Sequence, residues 1–164
     1  MSIEKYQNAL VTGAGRRIGR AIAIDLAAAG WAVAVHYHQS VAEAQEVVHS
    51  IEALCGRAVA VAADLRQETA AAKVVAEAAD ALGPLSCLIN NASTFERDTV
   101  ASATRRSWDT HMEVNLRAPF NLTQAFAGQL PDSVEGNVIN IIDQRVWNLT
   151  PDFTTYTLSK AGLW

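Results

Sequence analysis

The 164-residue sequence predicts an α/β chain with one parallel sheet covered by helices on both faces. Three observations carry that expectation. Short apolar runs alternate with segments of helical period along the whole chain. The runs are near-continuous Val, Ile and Ala, as in strands buried on both faces, rather than the apolar–polar alternation of a half-solvated sheet. A glycine-rich string lies directly between the first apolar run and the first helical segment.

The elements follow in order. Ala9 to Thr12 reads as the first strand. From Arg17 to Ala29, Ile18, Ile22 and Leu26 recur every four residues and mark one helix face, which Gly30 closes. Ala32 to Tyr37 is the second strand, and Val41, Val47, Val48, Ile51 and Leu54 mark a helix ended by Gly56. Ala58 to Ala62 and Glu68 to Leu82 repeat the pair, with Gly83-Pro84 as the stop. Leu85 to Ile89 is strand four, Ser107 to Leu130 a long helix that Pro119 should loosen or bend, and Val138 to Ile142 strand five. A last helix begins near Asp152. Right-handed crossovers between such strands give a doubly wound, three-layer αβα sheet whose ligands sit at the carboxyl ends of its strands. One domain over residues 1–164 is expected.

Half of the residues are hydrophobic and the net charge is −4, a balance that argues against a general nucleic-acid or membrane-surface binder. The polar start, Met1 to Asn8, lacks the pattern of a signal peptide, and no apolar run is long enough to span a bilayer, so a cytoplasmic location is the expectation. Cys55 and Cys87 form no close motif with each other or with histidine. They read as buried small hydrophobes in a reducing compartment, with neither a disulfide nor a metal site expected.

Thr12-Gly13-Ala14-Gly15-Arg16-Arg17-Ile18-Gly19 follows the first strand and opens a helix. Its glycines allow a tight turn and close approach of backbone to a pyrophosphate, and the helix start offers free N–H groups and a positive dipole end. This makes the arrangement a Rossmann-type dinucleotide site, with Gly13, Arg16, Arg17, Ile18 and Gly19 as candidate contacts. An NAD site commonly ends its second strand in an acid for the ribose 2′-hydroxyl; here the chain reads His36-Tyr37-His38-Gln39-Ser40. Arg17 is expected near a 2′-phosphate, with Ser40 and His36 adding hydrogen bonds and Tyr37 beside them, so the expected cofactor is NADPH/NADP+. Asp64 and Leu65 follow strand three, where Asp64 either accepts from the adenine amino group or caps the third helix.

Tyr156 and Lys160 lie four apart and share a helix face. A nearby ammonium favours the phenolate, so Lys160 is expected to lower the pKa of Tyr156 and make it a proton donor near neutral pH.

The order of glycine loop, Asn90-Asn91-Ala92, Asn115 and Tyr156-x-x-x-Lys160 resembles the short-chain dehydrogenase/reductase family from Thr12 onward. The resemblance implies that Asn91 and Ala92 line the cofactor cleft, that Tyr156 and Lys160 are catalytic, and that Asn115 helps hold a proton-relay water beside the lysine. It also implies a dimer or tetramer, and a chain that stops short of the family's last strands. Trp108, Trp147 and Trp164 read as packing or interface residues.

Two departures resemble the pteridine reductases: Asn-Asn-Ala-Ser followed by Thr94-Phe95, and Asp143 where the family's catalytic serine stands. By that resemblance Phe95 stacks a pterin ring, Ser93 bonds substrate or cofactor phosphate, and Asp143 pairs with Tyr156. A carboxylate repels the oxyanion of ketone reduction, whereas a carboxyl–phenol pair suits proton delivery to the nitrogen of a reduced C=N bond. The expected activity is therefore NADPH-dependent reduction of a pterin or folate. The alternatives are a ketone reductase acting on a 3-oxoacyl or sugar carbonyl, and a catalytically silent nucleotide-binding module.

Overall fold

The computed structural model describes residues 6–164; the first five residues of the polar start lie outside it. Five parallel strands, β1 (Asn8–Val11), β2 (Ala32–Tyr37), β3 (Ala58–Ala62), β4 (Cys87–Asn90) and β5 (Asn137–Asn140), form one sheet in the order β3-β2-β1-β4-β5. Pairing is regular: Val11 lies beside Val35 and Ile89, Tyr37 beside Ala62, and Asn90 beside Asn140.

Alternation along the strands divides the core in two. Leu10, Ala34, Val61 and Leu88 face one way, onto Val74, Leu122 and Phe126 of α3 (Ala70–Leu82) and α5 (Ala118–Gln129). Ala9, Val11, Val33, Val35, Cys87 and Ile89 face the other, onto Ala23, Val47 and Ile51 of α1 (Arg17–Ala28) and α2 (Val41–Glu52). Both faces of the central strands β1, β2 and β4 are therefore dry, which is why the sequence shows continuous apolar runs there. The sheet reverses direction of winding between β1 and β4, so a crevice opens there at the carboxyl ends.

Several expected boundaries shift for local reasons. The second helix stops at Glu52 because Cys55 takes a left-handed φ of 60° and the Gly56 N–H turns back to the Ile51 carbonyl at 3.0 Å. That conformation also leaves Cys55 exposed, against expectation, while Cys87 is buried. Helix α3 starts at Ala70 rather than Glu68, whose carboxylate instead meets Arg117 at 2.9 Å. Ile18, expected on the buried face of α1, is exposed.

The long helix is three pieces. Helix α4 (Arg105–Met112) opens with a capping box between Thr104 and Ser107, a π-turn follows over Glu113–Arg117, and α5 resumes at Ala118. Pro119 has no N–H for the carbonyl four residues back, so the ladder widens by one residue before it, and the Ala118 N–H reaches Glu113. Helix α6 (Thr154–Leu163) packs against α4 and the π-turn. Trp108, Trp147 and Trp164 are all exposed, so none packs into this chain's core. Among the described residues no helix is long and apolar enough to cross a membrane.

Candidate active site

The carboxyl ends of β1, β2, β3 and β4 are stitched together by buried polar groups. The Thr12 hydroxyl accepts from the N–H groups of Asn91 (3.0 Å) and Ala92 (2.9 Å), and the Asn91 amide donates to the carbonyls of Thr12 (2.8 Å) and Gly13 (3.2 Å). Gly13 has a φ of 63°, and a Cβ there would meet the Ala92 Cα at 2.9 Å. Any side chain on Gly19 would strike the Gly13 carbonyl and the Asn91 amide. The glycines are therefore required by the close approach of the β1 turn to β4.

His36 completes this stitching, with both ring nitrogens committed to the backbone although the residue also borders the cleft above it. Its Nδ1 accepts from the Gly13 N–H at 3.1 Å, so its Nε2 carries the proton and donates to the Ala63 carbonyl at 3.2 Å. With both nitrogens occupied, the hydrogen bond expected from His36 to a 2′-phosphate has no donor. Burial holds its pKa down at about 4, so the ring is neutral at neutral pH.

A cleft of about 610 Å³ opens over these strand ends, within the range of small-molecule and cofactor sites. Gly13, Arg16, His36, Tyr37, Ser40, Asp64, Leu65, Ala92 and Ser93 line it, with His38 and Arg66 added by the structure. Arg17, Ile18, Gly19 and Asn91 do not. Arg17 opens α1 at a φ of 51°, and Arg16 reaches over to pair with Glu43. Asp64 does not cap α3, whose N-cap is Thr69. Its carboxylate is gripped by Arg66 at 2.7 and 2.9 Å, which holds its pKa down at about 2. A glycine turn, a helix start and two cationic side chains beside one cleft fit a phosphorylated dinucleotide.

The second cluster lies at the ends of β4 and β5. The Tyr156 hydroxyl donates to Asp143 Oδ2 at 2.8 Å, and the other Asp143 oxygen accepts the Arg145 N–H at 2.9 Å. Burial and the neighbouring carboxylate push the Tyr156 pKa well above that of a free phenol, with Ser93 and Arg145 opposing. This overturns the expectation that Lys160 lowers it. The Lys160 ammonium donates instead to the Ile141 carbonyl at 2.9 Å and lies 6.0 Å from the phenol ring centre. Burial lowers the pKa of Lys160 itself.

Asn115 is fully buried and its side chain is saturated. Its Oδ1 accepts from the Ser93 hydroxyl (3.1 Å) and the Thr94 N–H (2.9 Å); its Nδ2 donates to the Thr94 carbonyl (3.0 Å) and the Ser159 hydroxyl (3.1 Å). The amide thus clamps the loop after β4 to α6, and its side chain has nothing left for a relay water. Phe95 stands edge-on to Tyr156, with ring centres 4.6 Å apart, and is stacked on Phe153 at 4.2 Å. Arg145 lies over the Phe153 ring at 4.6 Å.

Sequence reasoning passed over Phe153, Arg145, His111 and Asp98. Arg145, Phe153 and Asp98 each lie within three residues of a predicted site residue, Asp143, Tyr156 and Phe95, which is the signal that could have found them; only His111 comes in from elsewhere in the fold.

The short chain dehydrogenase profile matches residues 7–164. Among curated relatives, a 3-oxoacyl-[acyl-carrier-protein] reductase of Staphylococcus epidermidis is 31% identical over 157 residues, 96% of this chain and 64% of the relative. Among solved structures, the FolM alternative dihydrofolate reductase 1 from Brucella canis complexed with NADP is 43% identical with a TM-score of 0.92, covering 96% of this chain and 64% of that one. The angucycline C-6 ketoreductase LanV with bound NADP is 36% identical with a TM-score of 0.89, covering 96% and 63%. The chain thus spans about 64% of the length of the curated relatives it matches. Sheet order, glycine turn, Tyr156–Lys160 pair and profile agree: the chain belongs to the short-chain dehydrogenase family.

Proposed function

We propose that this chain carries the cofactor half and the proton-donating residues of an NADPH-dependent reductase acting on pterin or folate rings. The observation that carries the reading is the Asp143–Tyr156 hydrogen bond at 2.8 Å, with the Phe95 ring edge-on to the phenol. The similarity to an NADP complex of an alternative dihydrofolate reductase supports it.

Gly13, Arg16, Ser40, Ala92 and Ser93 would hold the dinucleotide, with the cations Arg16 and Arg66 and the polar His38 on the cleft wall. NADPH, when bound, supplies the hydride. The rest is proton handling by the chain. Tyr156 is a neutral phenol across the physiological range because burial and Asp143 disfavour its anion. Its O–H bond breaks as an N–H bond forms on the substrate ring, and Asp143, protonated from solvent, returns a proton to the phenol oxygen. Passing one proton along the pair avoids a phenolate beside a carboxylate. Lys160, tied to Ile141, holds a positive charge near the pair. Phe95 already accepts a flat ring, that of Phe153, on one face at 4.2 Å, so its geometry suits stacking.

A ketone reductase is the second reading, favoured by the 31% identity to a 3-oxoacyl reductase and the 36% identity to a ketoreductase. The test is NADPH oxidation by this chain with dihydrofolate or dihydrobiopterin against a 3-oxoacyl thioester, with Tyr156→Phe as control. Faster turnover of the dihydropterins, lost in Tyr156→Phe, is the expected result. Preference for the thioester overturns it, and a rise in Tm with NADPH but no turnover of either points to a silent binding module.

A further inference from the structure

A buried polar chain beneath the second cluster takes no part in the proton path above. His111 on α4 is completely buried. Its Nε2 lies 3.1 Å from the backbone N of Glu96, and its Nδ1 lies 2.7 Å from the Thr155 hydroxyl. The Glu96 N–H is only a donor, so Nε2 is the acceptor, and a neutral ring must carry its hydrogen on Nδ1. That hydrogen points to Thr155, whose own hydroxyl donates to Asp98 Oδ2 at 2.5 Å. The other Asp98 oxygen accepts the Thr155 N–H at 3.1 Å, and the Asp98 carbonyl accepts the Phe153 N–H at 2.6 Å. Every direction in the chain is set by one backbone donor at its end.

The placement of the two ends matters. Glu96 follows Phe95, the ring that stands against Tyr156, and Thr155 precedes Tyr156 itself. The two functional side chains come from a loop and a helix that are 61 residues apart, and the imidazole lies between them with its ring edge-on to Tyr156 at 5.9 Å. We propose that His111 is a positioning residue, a latch that sets the stacking ring of Phe95 in register with the proton donor Tyr156. Its consequence for catalysis rests on the reading of Phe95 and Tyr156 under Proposed function; its geometry does not.

Two substitutions cut one end of the latch each. His111→Gln can still present an acceptor to the Glu96 N–H and loses Thr155. His111→Asn can still present a donor to Thr155 and loses Glu96. In NMR spectra of the full chain, the wild-type His111 is expected as the Nδ1–H tautomer. His111→Gln should shift the backbone amide signal of Thr155 and spare that of Glu96, and His111→Asn the reverse. With dihydropterin as substrate, His111→Gln should lower kcat about tenfold with KM little changed, and His111→Asn should raise KM about tenfold with kcat little changed. Should either variant not fold, Thr155→Val is expected to reproduce the His111→Gln pattern, with Thr155→Ser restoring wild-type behaviour. An Nε2–H tautomer, or both amide signals moving together or not at all in each variant, overturns the latch. Absence of turnover by the wild type instead overturns the pterin reading, while the NMR outcome still decides the latch.

Discussion

Asp143 decides what Tyr156 can do, because the phenol gives its hydrogen bond to that carboxylate and Lys160 spends its own on Ile141. The isosteric change Asp143→Asn keeps a hydrogen-bonding partner for the phenol but removes the group that returns a proton to it. Its expected effect is a fall in kcat of about 10²-fold or more, with NADPH affinity retained, read from steady-state kinetics and cofactor titration. His36 gives a second residue-level expectation, this one in stability. Burial holds its pKa at about 4 in the fold, against 6.5 for a solvated imidazole. Above pH 6.5 both states are neutral and stability does not depend on this ring. Between pH 6.5 and about 4 only the unfolded chain takes up the proton, so stability falls as pH falls, by at most about 3 kcal/mol. Urea denaturation at pH 7 and pH 5 should show about 2 kcal/mol of that loss, and His36→Gln should show a smaller one.

At the scale of elements, the π-turn at Glu113–Arg117 is the piece that brings the loop after β4 and helix α6 together, because it holds Asn115 between them. Asn115→Ala strands the Thr94 N–H and carbonyl, which the amide now satisfies, and should destabilise the fold by about 2–4 kcal/mol in thermal or denaturant unfolding. Hydrogen exchange at the Thr94 amide should accelerate more than that of β1, since the clamp is local. Pro119→Ala restores a donor to the ladder and should let the π-turn relax toward α-helix, loosening the same clamp; faster exchange at Thr94 with little change in β1 is the check. A proline inside a helical pattern was visible in the sequence. The widened turn it produces, and the buried asparagine that turn presents, were not, because they depend on what α6 offers in return.

Across the whole molecule, the sheet is dry at its centre and bare at one end. β1 and β4 are buried throughout, while β5 is largely exposed, with Ile139 at 41%. A parallel edge with an apolar side chain invites pairing with another chain. Ile139→Lys is expected to lower self-association of this chain at high concentration, measured by light scattering, without shifting its Tm by more than a degree or two.

The sequence by itself determined the layered α/β architecture and the strand order of events along it, since both arise from periodicities read within a dozen residues: continuous Val/Ile/Ala runs, helical repeats and glycines at turns. It also pointed to the cleft, because a glycine turn between a strand and a helix start leaves free N–H groups and a positive dipole end at the strand's carboxyl end. Only the tertiary structure decided which polar groups face a ligand and which are consumed by the fold. His36 turned inward to Gly13 and Ala63, Arg16 rather than Arg17 reached the cleft, the Lys160 ammonium settled on Ile141, and His111 came to join the loop of Phe95 to the helix of Tyr156. Those choices are made by hydrogen-bond partners that packing brings together from distant points of the chain, and a donor's nearest acceptor in space leaves no mark on the residues beside it in sequence.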